Sequence, residues 1–62
     1  MELTLDNERK EMEFSGTLSD LLRELRVMRE EVVVKVNGNL APETRKIGKK
    51  DKVEIIKVVF GG

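Results

Sequence analysis

The groups able to do chemistry in this sequence are few, and they gather at its end. The last residues are Val58-Val59-Phe60-Gly61-Gly62. A Gly-Gly tail has no side chains, so it threads a narrow cleft closed to bulkier tails, and two extended residues reach about 7 Å past the strand before them. The α-carboxylate of Gly62 is then an unhindered acyl group on a short arm, with Gly61 as its flexible neighbour. A carboxylate is a poor electrophile at neutral pH, because it is negatively charged and lacks a good leaving group. A partner must activate it, and ATP is the usual means. Adenylation makes the oxygen part of a mixed anhydride, which a sulfur or amine nucleophile then attacks. On this reading the chain brings an acyl group and a docking surface, binds no cofactor, and leaves ATP to the partner.

The rest of the composition fits that division of labour. There is no cysteine, which excludes a disulfide framework, a thiolate metal site and a cysteine nucleophile. There is no histidine, the commonest general base and metal ligand. Trp and Tyr are absent, so stacking platforms for nucleic acid would rest on two Phe alone. An enzyme in its own right is therefore the weakest reading, and no metal site is expected. Glu8, Glu11 and Glu13 read as an exposed strand face. With 62 residues the chain makes one domain that buries about 60% of its unfolded surface.

Charged residues make up 39% of the sequence, and Gln and Cys are absent, a composition that predicts heat stability. The net charge is zero but unevenly spread. Residues 1–31 hold nine acids and five bases, and residues 32–62 hold three acids and seven bases. Such polarity orients a partner during encounter, or simply reflects two solvated surfaces that differ. No apolar run is long enough for a signal peptide or a bilayer span, so a cytoplasmic protein without a membrane partner is expected.

The elements that must position the tail are legible from periodicity. Met1, Leu3 and Leu5 alternate with polar residues, Asp6-Asn7-Glu8 turns, and Glu11 to Phe14 resumes the alternation. The first fifteen residues thus read as a β-hairpin. Thr17 stands where an N-cap is wanted, with Asp20 three residues on. Leu18, Leu21, Leu22, Leu25 and Met28 then form one apolar stripe on a helix of about three turns, with Arg23, Glu24 and Arg26 on the wet side. Val32 to Val36 reads as a strand ending at the turn signal Asn37-Gly38-Asn39. Leu40-Ala41-Pro42 makes a very short strand cut off by proline. Arg45 to Lys52 reads as a surface loop. Val53 to Phe60 is the last strand, apolar on both faces, which predicts a central strand with cover on each side.

These features together describe an α+β domain, one helix packed across a mixed sheet of four to five strands, with residues 1–60 as the domain and 61–62 as the tail. On the face away from the helix, Val33, Ile56 and Val58 are candidates for a partner-docking patch. Phe60 either anchors the tail in a partner's pocket or caps the domain's own core. The basic run Arg45, Lys46, Lys49, Lys50 and Lys52 reads as a solvated loop before it reads as a phosphate or RNA site.

The order of elements, Asn37-Gly38 after a valine-rich strand, the run Asp51-Lys52-Val53-Glu54-Ile55-Ile56 and the final Gly61-Gly62 together resemble the ThiS/MoaD family of ubiquitin-like β-grasp sulfur carriers. The short length resembles ThiS, the thiamine-pathway carrier, more than MoaD. The resemblance implies that Gly62 is adenylated by a ThiF/MoeB-type ubiquitin-activating-like adenylyltransferase and converted to a thiocarboxylate. It also implies a sulfur donor enzyme and an acceptor such as thiazole synthase as partners. Three alternatives stay open: a MoaD-like carrier for molybdopterin or tRNA thiolation, a ubiquitin-like modifier conjugated to lysine, and a TGS-like RNA- or nucleotide-binding module. No nucleic acid partner is expected on the favoured reading. One departure stands out: the family often places Gly-Asp just before the last strand, whereas here Lys50-Asp51 precedes it and the glycine is Gly48. A differently built turn is expected there.

Overall fold

A computed structural model describes residues 1–58. Two hairpins and a crossover build its main sheet. Strand β1 (Glu2–Leu5) turns through Asp6 and Asn7 into β2 (Glu8–Glu11), with Leu5 opposite Glu8. Both turn residues have positive φ, 53° and 65°, the twist that lets a two-residue hairpin match its strands. Strand β4 (Val32–Val36) turns through Asn37 and Gly38 into β5 (Asn39–Leu40), again with both central residues at positive φ. Strand β7 (Lys52–Lys57) lies between them, parallel to β1 and antiparallel to β4. The sheet order is β2-β1-β7-β4-β5, so β7, from the end of the sequence, is the middle strand and lies beside β1, from its start.

Between β2 and β4 the chain crosses one face of the sheet. Strand β3 (Gly16–Thr17) leads into helix α1 (Leu18–Leu25), and a single 3-10 turn (Arg29–Glu31) returns the chain to β4. Thr17 is the N-cap. Its hydroxyl accepts from the Asp20 N–H at 3.2 Å, and the Asp20 carboxylate accepts from the Thr17 N–H at 3.2 Å, a complete capping box. Two further helix N–H groups, of Leu18 and Ser19, donate to the carbonyls of Arg45 and Glu43. Gly16 is needed before this cap: its φ is +149°, and a Cβ there would meet the Asp20 carboxylate at 3.1 Å and the Phe14 ring at 3.2 Å.

The helix is shorter than its apolar stripe predicts. Arg26 adopts the left-handed conformation (φ 59°), its N–H donates to Arg23, and the Val27 N–H donates to Leu22 at 2.9 Å. This is a Schellman ending, and it turns Met28 off the stripe, leaving it 59% exposed. Nothing in the sequence marks the stop, because the left-handed position holds Arg in place of the usual glycine.

Leu18, Leu21 and Leu22 press on Leu3, Val34, Val36, Val53 and Ile55, and Met1, Val32 and Ile47 complete the buried cluster. Two expectations fail here. Lys46–Ile47 is not surface loop but a short strand, β6, paired with β3, and Ile47 is buried. The second strand of the first hairpin ends at Glu11, so Met12 and Phe14 lie beyond it as half-buried edges of the core.

Candidate functional site

The site is approached along β7. Within that central strand Val53 and Ile55 face the helix at 1% and 2% exposure, whereas Ile56 is 38% exposed. The predicted cover on both faces is therefore absent among the described residues: β7 has a neighbour on each side but only one covered face. Its apolar pattern comes from two different sources, the core at Val53 and Ile55 and an open patch at Ile56 and Val58.

That patch has a defined geometry. Ile56 lies directly opposite Val33 across the β4–β7 ladder. Val58, two residues further along, donates its N–H to the Glu31 carbonyl at 2.9 Å, so pairing with the chain before β4 continues past the end of β7. Val33 and Val58 are each 36% exposed. Beside the patch, Glu54 stands opposite Lys35, a charged pair on the same open face. Lys57, on the other face, reaches Asp6 of the first turn at 3.5 Å, an exposed ion pair worth about 0–1 kcal/mol. Of the residues singled out from sequence, Val33, Ile56 and Val58 are thus brought together. Phe60, Gly61 and Gly62 lie outside the described residues.

Sequence reasoning missed Leu40. It is 70% exposed on edge strand β5, in register with Lys35 and hence on the open face. The signal was present: a two-residue Asn-Gly hairpin fixes which residues face each other across the turn, and hence fixes Lys35 opposite Leu40.

The opposite end of β7 is held by a side-chain clasp. Asp51 accepts at one carboxylate oxygen from Asn37 Nδ2 (2.9 Å) and at the other from the Gly48 N–H (2.8 Å). Asn37 Oδ1 accepts from the Lys52 N–H (3.0 Å), and the Asn37 N–H donates to the Lys52 carbonyl (2.8 Å). The Asn37 bond first, and the Gly48 bond second, hold the Asp51 carboxyl below the ordinary aspartate value. Bonds from the Thr17 backbone and hydroxyl do the same for Asp20. Both shifts belong to structural contacts. The glycine displaced from its usual place before the last strand is explained here: Gly48 N–H and carbonyl close a turn on Asp51, whose own N–H returns to Gly48 at 3.2 Å.

Other clusters offer less. No group of three or more metal-ligating side chains occurs among the described residues. Glu8, Glu11 and Glu13 are exposed, as expected. The basic run is divided: Arg45 reaches Asp51 at 3.8 Å, Lys46 sits on β6, and Lys49 and Lys50 line an open groove with Met1, Met12 and Phe14. Among the described residues, no helix is long and apolar enough to cross a membrane.

A mixed five-stranded sheet wrapped on a single capped helix, with its central strand running toward the Gly-Gly end, defines a β-grasp domain. The chain matches the ThiS family over residues 1–62 and belongs to it. Among solved structures it is similar to a thiamine biosynthesis protein (ThiS) from Geobacter metallireducens, at 26% identity and a TM-score of 0.69, with each chain covered completely. No curated protein matches it.

Proposed function

We propose that this protein carries sulfur for thiamine biosynthesis as a thiocarboxylate on its last residue, Gly62. The observation that carries the reading is membership of the ThiS family over the whole chain, together with a β-grasp fold whose central strand leads toward Gly61-Gly62. The similarity to a ThiS protein favours thiamine over the molybdopterin and tRNA alternatives. In the chemistry proposed, an adenylyltransferase joins the Gly62 carboxylate to AMP and releases pyrophosphate. Sulfide released by a sulfur donor then attacks the acyl carbon. The C–S bond forms, the bond from that carbon to the AMP oxygen breaks, and AMP leaves, so that the tail ends as a thiocarboxylate with no change of oxidation state. The thiocarboxylate is passed to an acceptor such as thiazole synthase.

The described residues support a division of tasks along β7. Its helix-facing side chains anchor the strand in the core, and Ile56 on its open face, with Val58 just past its end and Val33 opposite Ile56, presents an apolar surface beside the start of the tail. We assign that surface to docking on the adenylyltransferase, with Phe60 and Gly61 entering its cleft. Burying such a patch gives affinity, and a tail with little bulk gives reach.

Deletion of Gly62 tests the reading. The shortened protein is expected to keep its circular dichroism spectrum and melting midpoint while losing all capacity to accept sulfur. A shortened protein that still accepts sulfur would show that the acyl group lies elsewhere.

A further inference from the structure

We propose that Asn37 is a site of spontaneous deamidation, and that its clasp to Asp51 and Lys52 is the brake on that reaction. The chain has three asparagines; Asn7 is followed by Glu8, Asn39 by Leu40, and only Asn37 by glycine. In an Asn-Gly pair the glycine backbone nitrogen attacks the side-chain carboxamide carbon. A bond forms between that nitrogen and Cγ, the Cγ–Nδ2 bond breaks, and ammonia leaves with the proton given up by the glycine nitrogen. The resulting succinimide adds one water and opens to aspartate or isoaspartate. No oxidant, reductant or enzyme is needed.

Local crowding does not protect Asn37. It is exposed on the β4–β5 turn, and nothing lies within 4 Å of the position a Cβ on Gly38 would take. Glycine therefore leaves the nucleophilic nitrogen unhindered. What restrains the side chain is hydrogen bonding at both ends of its carboxamide. Nδ2 donates to Asp51 at 2.9 Å and Oδ1 accepts from the Lys52 N–H at 3.0 Å, while the Asn37 N–H holds the backbone to Lys52 at 2.8 Å. Turning Cγ toward the Gly38 nitrogen requires both side-chain bonds to break. The product also ends the clasp. A carboxylate at position 37 has no proton to donate to Asp51 and sets two like charges at hydrogen-bonding distance, and isoaspartate adds a backbone atom to a two-residue turn. The damage falls at the start of β7, opposite the end from which the tail departs, and the inference does not depend on the sulfur-carrier reading.

The test follows the mass gain of amide-to-acid conversion, located by peptide mapping, during incubation at mildly alkaline pH. Folded protein, the same protein in urea, and folded Asp51→Ala are compared. Conversion is expected at Asn37, with Asn7 and Asn39 unchanged, and roughly thirtyfold slower in the folded protein than in urea, the factor that two net hydrogen bonds supply. Folded Asp51→Ala should convert several-fold faster than the folded parent, since it loses one of the two side-chain bonds, and a rate equal to the folded parent's would remove Asp51 from the brake. Equal rates for the folded and urea-unfolded parent would remove the brake, whatever the variant does. Conversion that appears first at Asn7 or Asn39 would remove the site.

Discussion

At the scale of single residues, Asp51 and Arg26 show how side-chain chemistry and backbone strain act on this fold. Asp51 joins the β4–β5 turn to the loop that feeds β7, and its carboxyl is held below the ordinary aspartate value by bonds from Asn37 and Gly48. A depressed folded value means that the contribution to stability is complete above the unfolded value and is lost as pH falls through the folded one. Asp20 acts in the same direction at the helix cap. Stability should therefore decline below about pH 4, and Asp51→Asn should flatten that decline in urea titrations taken across pH. An unchanged acid slope in the variant would contradict the clasp. Arg26 holds a left-handed conformation that costs a non-glycine residue roughly 1 kcal/mol. Arg26→Gly should raise stability by about 0.5–1 kcal/mol, less what glycine's unfolded-state freedom takes back, and a fall in the melting midpoint would show that the arginine is held by more than the helix ending.

At the scale of elements, β6 carries more than its charged sequence announces. Lys46–Ile47 pairs with Gly16–Thr17 directly ahead of the helix, and Ile47 is buried at 3% exposure. Ile47→Ala should cost about 2–5 kcal/mol, a large part of the roughly 3–9 kcal/mol that a domain of this size holds, and a loss under 1 kcal/mol in chemical denaturation would place Ile47 outside the core. The miss at β6 has a physical reason. Two residues give no periodicity, and a single isoleucine among lysines looks like loop until its partner strand is known. The long elements were legible from sequence: β1 by alternation, β4 by its run of β-branched residues ending at Asn37-Gly38, and α1 by its leucine spacing and its Thr17 cap. Stops were harder. Helix α1 ends at a left-handed arginine, and β2 ends at Glu11 although the alternation runs on to Phe14. The hydrophobicity of β7 on both faces was read as two covered faces. One is core, and the other is the open patch, a distinction that depends on which face helix α1 crosses.

At the scale of the whole molecule, the fold separates anchoring from presentation: the buried hydrophobic residues among those described form one cluster, while Val33, Ile56, Val58 and Leu40 are exposed. Replacing Val33 and Ile56 together by threonine keeps β-branching while removing apolar surface. The double variant should melt near the parent's midpoint and raise the KM of the activating enzyme about tenfold, an effect of ordinary size for interface residues. An unchanged KM would move docking to another face. Among the described residues the three ion pairs share no member, and two of them, Arg29–Glu43 and Lys57–Asp6, are exposed at both ends, so they form no charge network of the kind associated with heat stability. The Gly-Gly end remains the centre of the account, and the intact mass of the protein tests it most directly. After incubation with ATP, magnesium, a ThiF-type adenylyltransferase and sulfide, the mass should rise by the difference between sulfur and oxygen, with the gain confined to the C-terminal peptide. An unchanged mass, with the enzyme shown active on its own carrier, would contradict the assignment of Gly62 as the acyl group that carries sulfur.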